Sequence, residues 1–375
     1  MELKKVLLFT GKFPSFGDDT DGGSILIYSL IEALKNNCIL DVIFTRTKQK
    51  AFEKIEGVRM VSFETYKHHL ENKFQRRLAN KNQIFARLKS EISKYDTVII
   101  THCSKAFGIE ALTPEEKSKI IVFPMYLSKS YERSGELVPK EYIDNEKQAL
   151  LCANKILTPS DSEKQDMIEF FGVENEKIKV IPRGYSSNIK ASDKKISFPV
   201  EFLYIASIKE QKNTVEAITL LKELNEQGIN ARLHLAGSYQ NDSILNECKK
   251  YIEENRLCDK VIFHGVLSQL ELAKLIGSSH INISVSNWET FGRGIFEGMA
   301  GGLPTVAFSR LECVKQYVND GCGISFVDSH SDFLEVLIKL CTNWEYYEKQ
   351  SKKAHLSVEY LSEANERERL IKELI

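Results

Sequence analysis

SNWETFGRGIFEGMAGGLPTVAF, residues 286–308, is the stretch whose reading decides this chain. Just ahead of it, Ile281-Asn282-Ile283-Ser284-Val285 alternates as a buried strand entering a loop does. Gly292 and Gly294 let the backbone pass close to a neighbour before a helix begins. Gly301-Gly302 end that helix and Pro304 prevents its resumption, so Thr305-Val306-Ala307-Phe308 reads as the next strand. A strand-to-helix turn of this kind aims backbone N–H groups and a positive dipole end at one spot, which favours a phosphate. Glu289 stands before the helix and Glu297 about one turn into it. Carboxylates repel phosphate, so these two are placed to accept hydrogen bonds from sugar hydroxyls on either side of it. A plainer reading stays open on spacing alone. Arg293 and Glu297 are i,i+4 and form a surface ion pair in the weaker order, with Glu289 a solvated loop residue.

At 375 residues the chain exceeds what one hydrophobic core supports, so two domains are expected. A net charge of −1 argues against a general nucleic-acid binder, which needs a basic excess to neutralise phosphates. The eight cysteines are scattered without a CxxC pair, and most have apolar neighbours. That pattern predicts reduced, packed thiols and a cytoplasmic protein. The opening MELKKVLLFTGKF is too short in its apolar run for a membrane span and lacks a small-residue cleavage site, so it reads as the first strand.

Strand and helix alternate from there. Lys5–Thr10 is a buried strand and Ser24–Lys35 an amphipathic helix. Between them Gly22-Gly23 directly precede the helix, a second turn able to contact an anion, although many Gly-rich loops of this length bind nothing. Asp19-Thr20-Asp21 invites a metal reading. A turn rich in Asp and Gly is ordinary solvated loop chemistry, and no further hard oxygen ligands stand nearby, so no metal is expected. Strands follow near 40–46 and 59–63, then a long helical region over 66–94. Its basic face, with Lys73, Arg76, Arg77, Lys81, Arg87, Lys89 and Lys94, suits an anionic membrane surface or acceptor; the commoner reading is a solvated face.

A strand over Asp96–Thr101 delivers His102 at its carboxyl end, where open α/β sheets bind ligands. Strands at 119–124, Lys155–Thr158 and Lys177–Ile181 complete the first half, and the polar, unpatterned 186–199 is the expected domain boundary. The pattern then restarts: a strand over Phe202–Ala206, a capping box Asn213-Thr-Val-Glu216 opening a helix, further strands from Leu233, Val261 and Ile281, and a second capping box Ser268-Gln-Leu-Glu271. These intervals are those of β-α repeats in a parallel doubly wound sheet.

Glu289 and Glu297, seven residues apart within ETFGRGIFEGMAGGLPTV, resemble the E-x7-E signature of family 4 retaining glycosyltransferases, and the likeness includes the Gly-Leu-Pro exit. It extends over nearly the whole chain, strongest at 286–308 and weakest over 47–95 and 124–150. The resemblance implies an α/β chain of the GT-B fold, with two Rossmann-like doubly wound parallel-sheet domains facing across a cleft. Residues 1–190 would form the acceptor side and 197–355 the nucleotide-sugar side, with a last helix over about 356–375 packing back on the first.

The same resemblance implies roles for individual residues. Glu289, Lys212 and His102 would be catalytic, His102 touching the sugar. Glu297 would hold the ribose. Glu289 with the backbone at Phe291-Gly292 would hold the sugar ring, and Thr290, Arg293 and Gly294 complete the donor-side turn. Gly22-Gly23 would face the donor phosphates and the acceptor, and Val266 and Leu267 would read the base by backbone. In IASIKEQKN, Lys212 matches a family Lys on the diphosphate, but Ser207 stands where an Arg is expected. Ser donates one hydrogen bond and no charge, so Lys209, Arg183 or Arg293 would have to substitute. The activity so implied is retaining, metal-independent transfer of a hexosyl or N-acetylhexosaminyl unit, needing no cofactor. The donor would be a nucleotide sugar, UDP-linked by expectation, and the acceptor a saccharide or glycoconjugate in cell-surface glycan synthesis. Peripheral membrane contact through 66–94 is compatible with it. Two other classes stay open: a catalytically silent GT-B subunit supporting a partner, which Ser207 motivates, and a sugar-nucleotide epimerase, which the E-x7-E pattern disfavours.

Overall fold

The structure is a computed structural model describing residues 3–11, 22–46, 54–65, 72–192, 195–239 and 242–375. The chain divides into two compact units, Met1–Pro182 with Glu366–Ile375, and Arg183–Asn365. The first unit carries β1 (Lys5–Thr10), β2 (Ile39–Arg46), β3 (Arg59–Glu64), β4 (Thr97–Thr101), β5 (Ile120–Phe123), β6 (Lys155–Thr158) and β7 (Ile178–Val180). They form one parallel sheet in the order β3-β2-β1-β4-β5-β6-β7. The second unit carries β8 (Val200–Ile205), β9 (Ala231–Ala236), β10 (Val261–Gly265), β11 (Ile281–Ser284), β12 (Thr305–Phe308) and β13 (Ile324–Val327). Its parallel order is β10-β9-β8-β11-β12-β13. Both are the doubly wound arrangement that the alternation of strands and helices predicts.

Each sheet is apolar on both faces because helices cover both. Along β1, Val6 and Leu8 belong to one buried cluster and Leu7 and Phe9 to another, the period-two alternation of a central strand. Each sheet also reverses its winding at one place, between β1 and β4 and between β8 and β11. Ligands of open α/β sheets bind at the carboxyl ends of strands at such a switch point.

Three local expectations need correction. The helical region expected over 66–94, of which 66–71 lie outside the described residues, is two helices, Lys73–Ala79 and Lys81–Glu91, followed by a short 3-10 turn. Asn80 separates them, its side-chain amide donating to the Arg76 carbonyl at 2.7 Å beside its own backbone N–H at 3.3 Å. The expected capping box at Asn213 is absent: Asn213 sits in the left-handed region (φ 49°) and its side chain caps nothing. The chain must turn sharply out of the 3-10 turn Glu210–Lys212, and Asn tolerates that conformation better than most residues. The closing helix is not continuous either. One helix ends at Val358, a 3-10 turn covers Glu359–Leu361, and a second helix runs Glu363–Leu374. The break lets Ser362 pair with Tyr185, where a Cβ on Gly184 would lie 2.6 Å from the Glu363 Cα. Leu370 and Leu374 of the final helix are buried in the first sheet's core.

Candidate functional site

The pairing of β8 with β11 covers only Phe202 and Leu203 against Ile281 and Asn282, although both strands run on. The strands therefore splay at their carboxyl ends, and a ring of polar side chains spans the gap. Tyr204, buried near the end of β8, donates its hydroxyl to the Lys212 carbonyl at 2.6 Å. The same hydroxyl lies 2.8 Å from the Ser286 Oγ, just past β11. Ser286 donates to Glu289 Oε1 at 2.8 Å, and the Lys212 Nζ reaches that oxygen at 2.5 Å. Gln211 closes the ring from behind: its carbonyl accepts from the Asn287 N–H and its amide donates to the Trp288 carbonyl. Burial pushes the Tyr204 phenol far above its usual range, so it stays a neutral donor. Lys212 and Glu289, 77 residues apart in sequence, thus meet as a nearly buried ion pair. Glu289 spends one oxygen on the pair; among the described residues its Oε2 has no partner.

The helix Arg293–Ala300 starts over this ring. Gly292 is its N-cap in the left-handed region (φ 85°), and a Cβ there would lie 2.9 Å from Val314. Gly294 sits against the end of β8, where a Cβ would come within 2.4 Å of the Ile205 carbonyl oxygen. Only glycine at 294 lets the helix N-terminus approach the switch point this closely. Arg293 and Glu297 do pair, at 3.1 Å, but not on the surface: Glu297 is only 4% exposed. Burial raises the Glu297 carboxyl, and the Arg293 charge opposes that shift. The Arg293 Nη1 is buried with no hydrogen-bond partner, a donor that an anionic ligand would satisfy. Phe291 packs its ring 4.8 Å from Phe296 and 5.3 Å from Tyr317, so only its backbone faces the turn.

Ser207 is half-buried just beyond β8, and Ile208 pairs with Tyr239. Val266 is 41% exposed and, with Leu267, follows the edge strand β10, two strands away from the switch point. In the first unit Gly22 and Gly23 are the first two residues of the helix Gly22–Leu34 rather than its approach. His102 stands just past β4, forced to φ 71° at the mouth of a 3-10 turn. Its Nδ1 accepts from the Ser104 N–H at 3.2 Å, which puts the ring proton on Nε2, and that atom is enclosed without a partner. Burial, then the charges of Arg77, Lys105 and Lys73, hold the imidazole neutral, well below its usual titration range. Asp19 and Asp21 lie outside the described residues. Among those described, no group of three or more His, Cys, Asp or Glu is placed to hold a metal, and no helix is long and apolar enough to cross a membrane. All eight cysteines are free.

Tyr204 and Ser286 escaped the sequence reading. Tyr204 sits inside an apolar strand run and reads as core; only the splay of β8 from β11 turns its hydroxyl into a tether for Lys212.

Residues 187–356 match the sequence family described as glycosyl transferases group 1, and residues 20–188 that described as glycosyltransferase family 4. Mannosylfructose-phosphate synthase of Agrobacterium fabrum is 28% identical over 185 residues, 44% of this chain and 40% of that protein. The chain spans less than half the length of the curated relatives it matches. Among solved structures, sucrose-phosphate synthase from Thermosynechococcus elongatus superposes with a TM-score of 0.80 at 15% identity, over 99% of this chain and 97% of that one. HepE of Anabaena, in complex with UDP and glucose, gives 0.75 at 13% identity over 99% of each. At such identities these likenesses establish the fold, which is GT-B.

Proposed function

The chain belongs to the family 4, group 1 glycosyltransferases, and on that premise we propose that it transfers a hexosyl or N-acetylhexosaminyl unit from a UDP-sugar to a saccharide or glycoconjugate acceptor, with retention and without a metal. The observation that carries this reading is the Lys212–Glu289 pair beneath the glycine-lined N-terminus of helix Arg293–Ala300. Lys212, the helix N-terminus and the Arg293 Nη1 supply positive charge where a diphosphate leaving group accumulates negative charge as the glycosidic bond breaks. Glu297 accepts from the ribose, and the free Oε2 of Glu289 accepts from a sugar hydroxyl. Neither carboxylate serves as a nucleophile. The departing phosphate takes the acceptor proton, and the new bond forms on the face the old one leaves. In the first unit, the enclosed His102 Nε2–H is a donor open to a ligand oxygen. Arg293 stands in for the arginine that Ser207 replaces. A UDP-linked donor is supported by the neighbour HepE, whose structure holds UDP and glucose.

Ser207 supports one second reading, a silent subunit that binds but does not transfer. Transfer from labelled UDP-sugars into an acceptor extract, with wild type and Lys212→Ala, decides between them. Wild-type transfer with a turnover loss in Lys212→Ala well above its loss of donor affinity supports the enzyme. Transfer that Lys212→Ala leaves intact removes the phosphate role, and no transfer with any donor selects the silent subunit.

A further inference from the structure

Arg310 stands just past the end of β12 in the second unit. The ladder between β11 and β12 closes at Ser284 and Ala307, so Val285 and Ser286 lie beyond it. Arg310 reaches back across that gap. Its Nε donates to the Ser286 carbonyl at 3.2 Å and its Nη2 to the Val285 carbonyl at 3.3 Å. The guanidinium carbon lies 3.9 Å from the centre of the Phe308 ring, which gives the fork a surface to rest on. Burial works to lower the guanidinium's titration, and the Glu216 carboxylate in the first turn of the helix Thr214–Glu226 opposes that. A rigid fork on two successive carbonyls does here what a further strand residue would do with its N–H group.

The segment so held carries Ser286 and Glu289 into the polar ring at the switch point. Phe308 and Tyr204 share one buried cluster, whereas Ile295, Phe296 and Met299 of the helix Arg293–Ala300 belong to another. Arg310, packed on Phe308, therefore meets the segment from the face opposite that helix. Gln211 takes the next backbone groups, the Asn287 N–H and the Trp288 carbonyl. Beyond the ladder, then, side chains and a loop from other elements hold this main chain in place.

We propose that Arg310 is a positioning residue for the sugar half of the donor. By fixing the Val285 and Ser286 carbonyls it sets where Glu289 stands, and with it the Lys212 Nζ that Glu289 holds, without touching the substrate. The nucleotide half depends on Glu297 and the helix start on the other face, so Arg310 leaves it alone. This rests on the transferase reading for what the segment does, but not for the anchoring itself.

The test compares wild type, Arg310→Ala and Arg310→Lys with Leu337→Ala, which weakens the same unit by emptying buried volume under the helix His330–Thr342. Calorimetry gives the affinity of each for UDP, UDP-glucose, UDP-galactose and UDP-N-acetylglucosamine. Transfer into an acceptor extract gives kcat and the donor KM, and amide exchange over 285–291 is followed without ligand. Arg310→Ala should keep its UDP affinity while the ratio of UDP-sugar to UDP affinity falls. Its kcat should drop about 10- to 100-fold with a smaller change in KM. Exchange over 285–291 should quicken about tenfold or more. Arg310→Lys should recover part of each loss, since an ammonium keeps the charge but not the fork. Leu337→Ala should melt lower and show none of these changes.

Wild-type kcat in Arg310→Ala, a loss of UDP affinity as large as that of the UDP-sugars, or the same kcat loss in Leu337→Ala would each overturn the proposal. Should Arg310→Ala fail to fold, Arg310→Lys carries the test, and wild-type behaviour in all three readouts overturns it. Quickened exchange in a protein that binds no UDP-sugar would keep the anchoring and contradict the transferase reading. Unchanged exchange in an Arg310→Ala enzyme that transfers normally would contradict the anchoring alone.

Discussion

Replacing Tyr204 by Phe removes one hydroxyl and nothing else, and that hydroxyl ties three elements together. It donates to the Lys212 carbonyl at 2.6 Å and lies 2.8 Å from Ser286, which holds Glu289. The ring stays in place, so no cavity forms; what is lost is the partner of a buried carbonyl. Leaving such a group unsatisfied costs about 1–3 kcal/mol. In a domain of this size, that lowers the melting midpoint by roughly 2–12 °C. Part of the loss falls on catalysis, because Lys212 is released from its fixed position beneath the helix N-terminus. If all of it were expressed in the transition state, turnover would drop by roughly 5- to 150-fold. The assay is steady-state transfer from a UDP-sugar together with thermal unfolding of the same preparation. The expected outcome is a fall in kcat larger than any rise in KM, with a lowered midpoint. A variant that melts as much lower as expected yet turns over at the wild-type rate would refute the positioning role of Tyr204.

Other consequences follow from neighbouring residues. Gly294→Ala places a methyl 2.4 Å from the Ile205 carbonyl oxygen, so the helix must retreat from β8; we expect a loss of about 1–3 kcal/mol in denaturant unfolding and weaker UDP binding. His330 lies between Glu216 at 2.7 Å and Glu223 at 2.8 Å; burial works to lower its titration, but these two partners outweigh it and raise it above 6.5. A raised histidine stabilises fully below its unfolded value and loses that contribution as pH rises through the folded one. The midpoint difference between wild type and His330→Gln should therefore be largest below about pH 6.5 and shrink toward alkaline pH. On the proposal that Lys212, Arg293 and a helix N-terminus meet the diphosphate, transfer should persist in EDTA; loss that manganese or magnesium restores would return Asp19 and Asp21 to consideration.

How much was legible in the sequence depends on the range of the interaction. The glycines and proline of 286–308 act locally, so the strand, helix and strand they bound appear where the pattern places them. The Ser268–Glu271 capping box is likewise formed, since all its partners lie within four residues. Asn213 carries the same local signal and does something else, because the turn at Lys212 dictates its backbone from outside the motif. The basic face read over 66–94 looked uniform in sequence, yet Lys73, Lys81 and Lys89 find carboxylates on other elements, and Arg77 ends against two tyrosines 54 and 65 residues away. What a charge pairs with is a tertiary fact that local spacing does not carry.

The central claim is that the second unit holds a nucleotide sugar through the helix Arg293–Ala300, and it is tested most directly by titrating UDP, GDP and ADP into wild type and Glu297→Gln by calorimetry. The account predicts that wild type binds UDP and that Glu297→Gln, losing a charge-assisted hydrogen bond of about 1.5–3 kcal/mol, binds it roughly 10- to 150-fold more weakly. A wild-type protein that takes none of the three nucleotides, or a Glu297→Gln variant that takes UDP with undiminished affinity, would contradict it.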